Sequence, residues 1–108
     1  MGGKIRLLIN RLDPISNNIK QFLKVTLSSP MIEAYGLLDS TGPLTCVNPN
    51  DPTLNHVGGV CVNAEMKVID IPEMGYLSTD INKKGLPEPR GEVCFKGHSI
   101  ISGYYKMD

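Results

Sequence analysis

The 108 residues predict an α/β fold: a βαβ piece of a parallel sheet, followed by a β-rich meander or partial barrel. Residues 5–35 have the pattern strand, helix, strand, which implies two parallel strands joined by a crossover helix. After residue 60 the apolar residues recur at every second position, which is the period of a strand. We therefore expect the end of an α/β subdomain at 1–43, a loop at 44–59 and a β-rich subdomain at 60–108, all belonging to one larger domain.

The first strand is predicted over residues 5–10, where the apolar residues are dense enough for both of its faces to be covered. Pro14 ends this strand in a loop, and Ser16 is a suitable N-cap for a helix. One helical face is apolar, with Ile19, Phe22, Leu23 and Leu27. The opposite face is expected to lie in water, with Asn17, Lys20, Gln21 and Lys24. Ser-Ser-Pro at 28–30 ends the helix, and residues 31–35 form the second strand.

Glycine, proline and asparagine are frequent over residues 41–59, which predicts a long loop of the kind that is usually functional or mobile. Residues 64–69 alternate as a strand with one wetter face, and a polar, proline-rich connection leads to another strand in EVCFK at 92–96. A parallel pair of only two strands has edges that need neighbours, and the chain ends in aromatic and apolar residues. Both features lead us to expect an incomplete fragment of a larger domain.

Eleven basic residues balance eleven acidic ones, so charge gives no reason to expect a nucleic-acid partner. Three cysteines cannot all pair, which favours reduced thiols and a place in the cytoplasm or on the cytosolic face of a membrane such as the endoplasmic reticulum. No apolar run has the length of a signal peptide core or a membrane span. The possible soft metal ligands are Cys46, His56, Cys61, Cys94 and His98. They lack the spacings of a zinc site, so the cysteines are better interpreted as ordinary core or surface residues.

The stretch EAYGLLDSTG at 33–42 is the main candidate for chemistry, since a ring, a glycine, an acid and two hydroxyls follow a predicted buried strand. One interpretation is a strand end with a glycine-bent turn and a solvated polar cluster. The other is a nucleotide site, because open α/β sheets place ligands at the carboxyl ends of their strands. In that site Tyr35 would stack on a base, Gly36 would let the chain pass close to a ligand, and Asp39 would hold Mg²⁺ through oxygen.

The order of these elements resembles the middle of a long-chain fatty acyl-CoA synthetase, a member of the adenylate-forming, AMP-binding superfamily, over residues 2–106. YGLLDSTG at 35–42 is similar to the family's Y-G-x-T-E-T-T-G. GEVCFKGHSIISGYY at 91–105 is similar to G-E-x-x-x-(R/K)-G-x-x-x-x-x-G-Y, and VIDIPEMGY at 68–76 favours the long-chain fatty acid branch. The later motif is expected to support the site through Glu92, Gly97, Gly103 and Tyr104.

The resemblance implies a ligase that couples a fatty acid to ATP, giving an acyl-adenylate, and then passes the acyl group to coenzyme A. It places Tyr35 and Gly36 at the adenine, Leu38 where a threonine touches phosphate, and Asp39 where a glutamate binds Mg²⁺. ATP, Mg²⁺, coenzyme A and the fatty acid are therefore the implied cofactors and partners. The family's phosphate loop, ribose-binding aspartate and catalytic lysine belong to N- and C-terminal parts missing from these residues. No catalytic set is complete here, and we expect the 108 residues alone to be inactive.

The sequence departs from the family pattern at the nucleotide site. Leu38 has no hydroxyl, so a hydrogen bond to a charged phosphate worth about 1.5–3 kcal/mol is lost, and Asp39 is one methylene shorter than glutamate. Arg11, Leu12 and Asp13 replace small residues of a loop like N-G-A-A-P, where bulk could block the adenine. These changes suggest a kept fold with weakened or altered nucleotide chemistry. The alternative function is a non-catalytic lipid- or nucleotide-binding or scaffold derivative of the same fold.

Overall fold

The computed structural model describes residues 3–106. The elements follow in the order β1 (Leu8–Arg11), α1 (Asn17–Leu27), β2 (Met31–Tyr35), β3 (Thr45–Cys46), β4 (Gly59–Val60), β5 (Ala64–Ile69) and β6 (Glu92–Gly97). Single turns of 3₁₀-helix lie at Leu38–Ser40 and Pro72–Met74. Strands β1 to β4 form one sheet in that order, and β5 and β6 form a second sheet. The predicted α/β class is confirmed, and over the described residues the sheets do not close into a barrel.

Strands β1 and β2 run parallel, with Leu8 opposite Met31 and Arg11 opposite Ala34. The predicted βαβ unit is therefore confirmed, and the carboxyl ends of both strands meet at one edge of the sheet. The first strand begins at Leu8, later than predicted. Its side chain at Ile9 is exposed, so the expectation that both strand faces are covered is wrong. The reason is that, within residues 3–106, the element packed closely against β1 is β2 of the same sheet, which leaves the Ile9 face of β1 open.

Helix α1 has the predicted ends, with Ser16 at its N-cap and Ser28 in the left-handed conformation at its C-cap. The predicted capping hydrogen bond to the Ser16 side chain is not formed. The predicted orientation of its polar face is wrong, because Lys20 is only 6% exposed while Phe22 is 66% exposed. Nζ of Lys20 lies 2.6 Å from Oε2 of Glu33 on β2. A carboxylate beneath a helix needs a hydrogen-bonded partner, and this ion pair joins the Lys20 face of α1 to β2.

The predicted loop at 44–59 contains strand residues at both ends, so that prediction is wrong there. Thr45–Cys46 pairs antiparallel with the end of β2, and Gly59–Val60 pairs with β3. Strands of two residues have no alternation that a sequence pattern could reveal. Leu44, just before β3, is fully buried and joins a small core with Met31, Ile32, Ala34 and Val47.

Strands β5 and β6 pair antiparallel over six residues each, from Ala64 opposite Gly97 to Ile69 opposite Glu92. Hydrogen bonds order the connection between them. The carboxylate of Asp80 accepts the N–H of Leu77 at 2.9 Å and Nε of Arg90 at 2.8 Å. Across residues 3–106, no helix has both the length and the apolar character needed to span a bilayer.

Candidate functional site

The turn that follows β2 is built around Ser40, which is fully buried. Its hydroxyl accepts the N–H of Leu37 at 3.0 Å and lies 2.6 Å from the carbonyl oxygen of Gly42, to which it can donate. The Ser40 hydroxyl therefore links the beginning of the turn, at Leu37, to its end, at Gly42. The interpretation of residues 39–41 as a solvated polar cluster is therefore wrong for Ser40. The sequence did not reveal this role, because no local pattern marks a buried serine in a turn.

Gly36 begins the turn and is buried. A Cβ atom at this position would lie 2.5 Å from the carbonyl oxygen of Gly42 and 3.2 Å from Cα of Pro43. Glycine is required here because the turn folds back onto its own backbone, a reason independent of any ligand. Leu37 and Leu38 lie on the outside of the turn, and Leu38 is 82% exposed.

Asp39 is half-buried, and its contacts are with the far end of the chain. The phenol of Tyr104 donates to Oδ1 of Asp39, and the N–H of Ile101 donates to the main-chain oxygen of Asp39 at 2.9 Å. Oγ1 of Thr41 donates to the carbonyl of Ser99 at 3.0 Å. The hydrogen bond to the carboxylate, with its negative charge, raises the pKa of Tyr104. We call these three bonds the latch, since they hold the turn against the last described segment.

The carboxylate of Asp39 fits a magnesium ligand of the nucleotide-bound kind. Mg²⁺ is held in proteins through one or two carboxylates, while waters and substrate phosphates supply its other ligands. Oδ2 of Asp39 has no hydrogen-bond partner within residues 3–106, so one carboxylate oxygen stays available beside the latch. The same part of the chain brings together no group of three or more histidine, cysteine, aspartate or glutamate side chains that could hold a metal ion by themselves.

A groove of about 240 Å³ opens where β1 and β2 end, and Tyr35 forms part of its wall. Leu12, Asp13 and Val57 line it as well. The volume is below the roughly 300–1,000 Å³ of sites that enclose a whole small ligand, so it suits a ring-sized part of one. The ring of Tyr35 also contacts Phe95 of the second sheet, with ring centroids 6.0 Å apart.

The bulky residues at the end of β1 adopt two different arrangements. Leu12 and Asp13 lie in the wall of the groove, whereas Arg11 does not line it. Nη2 of Arg11 instead donates to the carbonyl oxygens of Leu37 and Gly42, both at 3.3 Å. Leu12 has φ +80°, a left-handed conformation that costs a leucine about 1–2 kcal/mol. The turn at 35–42 is thus contacted from β1 on one side and by the latch on the other.

The other chemically reactive side chains lie elsewhere. Nε2 of His56 is 2.6 Å from Oγ1 of Thr53, and Nδ1 of His56 accepts the N–H of Gly58 at 3.2 Å, so both ring nitrogens are engaged locally. The cysteines are free thiols. A larger cavity, about 450 Å³, lies around Asn63 and Lys96 at the paired ends of β5 and β6. Gly97 lines it, whereas the predicted nucleotide-binding residues Tyr35, Gly36, Leu38 and Asp39 do not.

Comparison with known proteins places this geometry in a family. The model of the AMP-binding enzyme family matches residues 1–105. Fatty acyl-CoA synthetase A of Dictyostelium discoideum is 36% identical over 106 residues, which is 98% of this chain and 15% of that protein. The peroxisomal long chain acyl-CoA synthetase 6 of Arabidopsis thaliana is 35% identical over 106 residues, 98% of this chain and 14% of that protein. The chain thus spans about 15% of the length of these curated relatives.

A solved structure has the same fold over nearly the whole chain. It is the A domain of carboxylic acid reductase from Segniliparus rugosus, in complex with AMP and a co-purified carboxylic acid. It matches with a TM-score of 0.70 and 33% identity, covering 97% of this chain and 14% of that chain. The resemblance drawn from YGLLDSTG and GEVCFKGHSIISGYY is confirmed at the level of the family. With the family model matching almost every residue, the chain belongs to the AMP-binding enzymes.

Proposed function

We propose that these residues form part of an ATP-dependent, AMP-forming ligase that activates long-chain fatty acids, first to an acyl-adenylate and then to acyl-CoA. One observation carries the proposal: Tyr35, Gly36 and Asp39 share a single turn at the carboxyl end of the parallel strand β2, beside a ring-sized groove. Ligands of open α/β sheets lie at such strand ends. The names of the curated relatives, which are acyl-CoA synthetases, support the same substrate class.

In the proposed reaction a carboxylate oxygen of the fatty acid attacks the α-phosphorus of ATP, and pyrophosphate leaves. The thiolate of coenzyme A then attacks the acyl carbon of the adenylate, and AMP leaves. The described residues serve the first step by binding and orientation: Tyr35 takes the adenine against its ring, and Asp39 offers one carboxylate oxygen. Mg²⁺ bound there would neutralise phosphate charge. We propose that the chemical step also uses residues from outside this segment, which spans about 15% of the length of the curated relatives.

The test is exchange of labelled pyrophosphate into ATP by the intact protein, with and without a long-chain fatty acid. We expect exchange that depends on the fatty acid. Replacing Tyr35 by alanine should weaken ATP binding by about 5- to 150-fold, since stacking a base on an aromatic ring contributes about 1–3 kcal/mol. Tyr105→Ala is the control, because that tyrosine is 87% exposed. Absent exchange, or equal ATP binding by wild type and Tyr35→Ala, would contradict the proposal.

A second candidate is a non-catalytic derivative of the fold that still binds nucleotide or lipid. Two observations favour it: Leu38 offers no hydroxyl to a phosphate, and Oδ1 of Asp39 is already occupied by Tyr104. Nucleotide binding without exchange would support this candidate. The double variant Leu38→Thr with Asp39→Glu should then bind ATP more tightly and gain exchange activity. Equally tight ATP binding by both forms would remove the idea that these two residues weaken the site.

A further inference from the structure

We propose that Arg11 binds the phosphate of the nucleotide, an inference that rests on the proposed function. Arg11 is the last residue of β1 and lies opposite Ala34, the residue before Tyr35. Its guanidinium reaches across the sheet edge to the carbonyl oxygens of Leu37 and Gly42. The positive charge therefore lies beside the turn that would receive the nucleotide, while leaving the ring-sized groove open.

The charge of Arg11 is not matched by an acid. The lysine and arginine ion pairs within residues 3–106 are Lys20 with Glu33 and Arg90 with Asp80. Both hydrogen bonds of Arg11 come from the single nitrogen Nη2, and its other donors have no partner in that same range. A guanidinium has five N–H donors in a planar fork that matches phosphate. Donors and charge are thus available at the surface of the turn.

Arg11 also supplies hydrogen-bond donors beside a part of the turn that has none in its own side chains. Leu38 has no hydrogen-bonding group in its side chain, which is 82% exposed at the surface of the turn. The carbonyl of the preceding residue, Leu37, is one of the two that Arg11 contacts. A charge-assisted donor from the neighbouring strand therefore lies beside a part of the turn whose leucine side chains cannot donate. It follows that this site should discriminate a nucleotide with phosphate from the bare nucleoside.

The experiment compares AMP with adenosine, both titrated calorimetrically into the intact protein. Arg11→Ala removes the charge and the donors, and Arg11→Gln removes the charge but keeps an amide donor on a shorter side chain. Arg6→Gln is the matched control, since Arg6 is exposed and precedes β1. We expect both Arg11 variants to bind AMP about 10- to 100-fold more weakly. Adenosine affinity should stay within about twofold, and the control should match the wild type.

Unchanged AMP affinity in the Arg11 variants would overturn the inference, and so would an equal loss for adenosine, which would mean that Arg11 only shapes the turn. Tighter binding of both ligands would also overturn it, because Arg11 would then block the site. These outcomes leave the proposed function standing, since the wild type still binds AMP. A wild type that binds neither ligand would contradict both proposals.

Discussion

Tyr104 donates its phenol hydrogen to Oδ1 of Asp39, which is 65 positions earlier in the chain. The bond holds one oxygen of a carboxylate that belongs to the candidate nucleotide turn, while Oδ2 has no hydrogen-bond partner within residues 3–106. Metal-binding carboxylates are commonly held by hydrogen bonds of this kind, and loss of such a partner typically costs about 10- to 100-fold in metal affinity. If Asp39 binds Mg²⁺ as proposed, we expect Tyr104 to act as a positioning residue for its carboxylate through the latch.

We predict that Tyr104→Phe weakens the binding of Mg²⁺ to the intact ligase by about 10- to 100-fold, because the phenylalanine ring keeps the shape but leaves Oδ1 of Asp39 without its donor. Calorimetric titration of Mg²⁺ in the presence of a non-hydrolysable ATP analogue measures this directly. Tyr105→Phe is the matched control, as the adjacent tyrosine is exposed. Unchanged Mg²⁺ affinity in Tyr104→Phe, or the same loss in the control, would show that the latch does not position the carboxylate.

Two glycines give a matched test of the turn itself. Gly36→Ala places a Cβ atom 2.5 Å from the carbonyl oxygen of Gly42, so the turn must shift. We expect a loss of about 1–3 kcal/mol in the free energy of unfolding, together with weaker AMP binding. Gly59→Ala meets nothing within 4 Å and should stay within about 0.5 kcal/mol of the wild type. Urea denaturation with calorimetry of AMP measures both quantities. Wild-type AMP affinity in Gly36→Ala would argue against a nucleotide at this turn.

The ion pair beneath α1 is predicted to stabilise the βαβ unit. Lys20→Met keeps the apolar stem but leaves Glu33 without its partner, and breaking a buried pair costs about 3–5 kcal/mol. Adding Glu33→Gln should recover part of that loss, because an amide is cheaper to leave unpaired than a charge. Lys24→Met on the same helix should change the free energy of unfolding by about 0.5 kcal/mol at most. If Lys20→Met and Lys24→Met unfold at the same urea concentration, the pair contributes nothing to stability.

Acid should weaken the connection between β5 and β6. The N–H of Leu77 and the guanidinium of Arg90 hold the pKa of Asp80 below its usual 3.8, and the N–H of Ser78 does the same for Asp70. Since the folded form binds these protons less readily than the unfolded chain, the stabilisation is present above about pH 3.8 and is lost as pH falls further. Asp80→Asn should therefore lower the unfolding temperature at pH 7, and its difference from wild type should shrink below pH 3.8. A difference that persists in acid would contradict this account.

Much of the fold was predictable because its signals are local. Ser16 and the Ser-Ser-Pro stretch mark the ends of α1, and the parallel pair follows from one strand, one helix and another strand in sequence. The burial of Lys20 was not predictable, since it depends on Glu33 from another element. The strands Thr45–Cys46 and Gly59–Val60 are formed by pairing with β2 and β3, and two residues carry no pattern of their own.

In the candidate site, too, the neighbouring residues were predictable from the sequence and their distant contacts were not. Tyr35, Gly36, Leu38 and Asp39 were predicted as a unit because they are adjacent in the chain, and the structure keeps them in one turn, although their roles toward a nucleotide stay predictions. The contacts of that turn were not predictable, because Arg11 and Tyr104 reach it from distant parts of the sequence. A sequence pattern can thus locate the turn, whereas the positive charge of Arg11 and the hydrogen bond from Tyr104 reach it through tertiary structure.

The most direct test of the central claim is photoaffinity labelling of the intact protein with 8-azido-ATP, followed by mapping of the labelled peptides. A nucleotide bound at this turn should label peptides that contain Tyr35 or the neighbouring residues 12–14 of the groove, and unlabelled ATP should suppress that labelling. Label that maps only to other peptides, or that excess ATP does not displace, would contradict a nucleotide site at the end of β2.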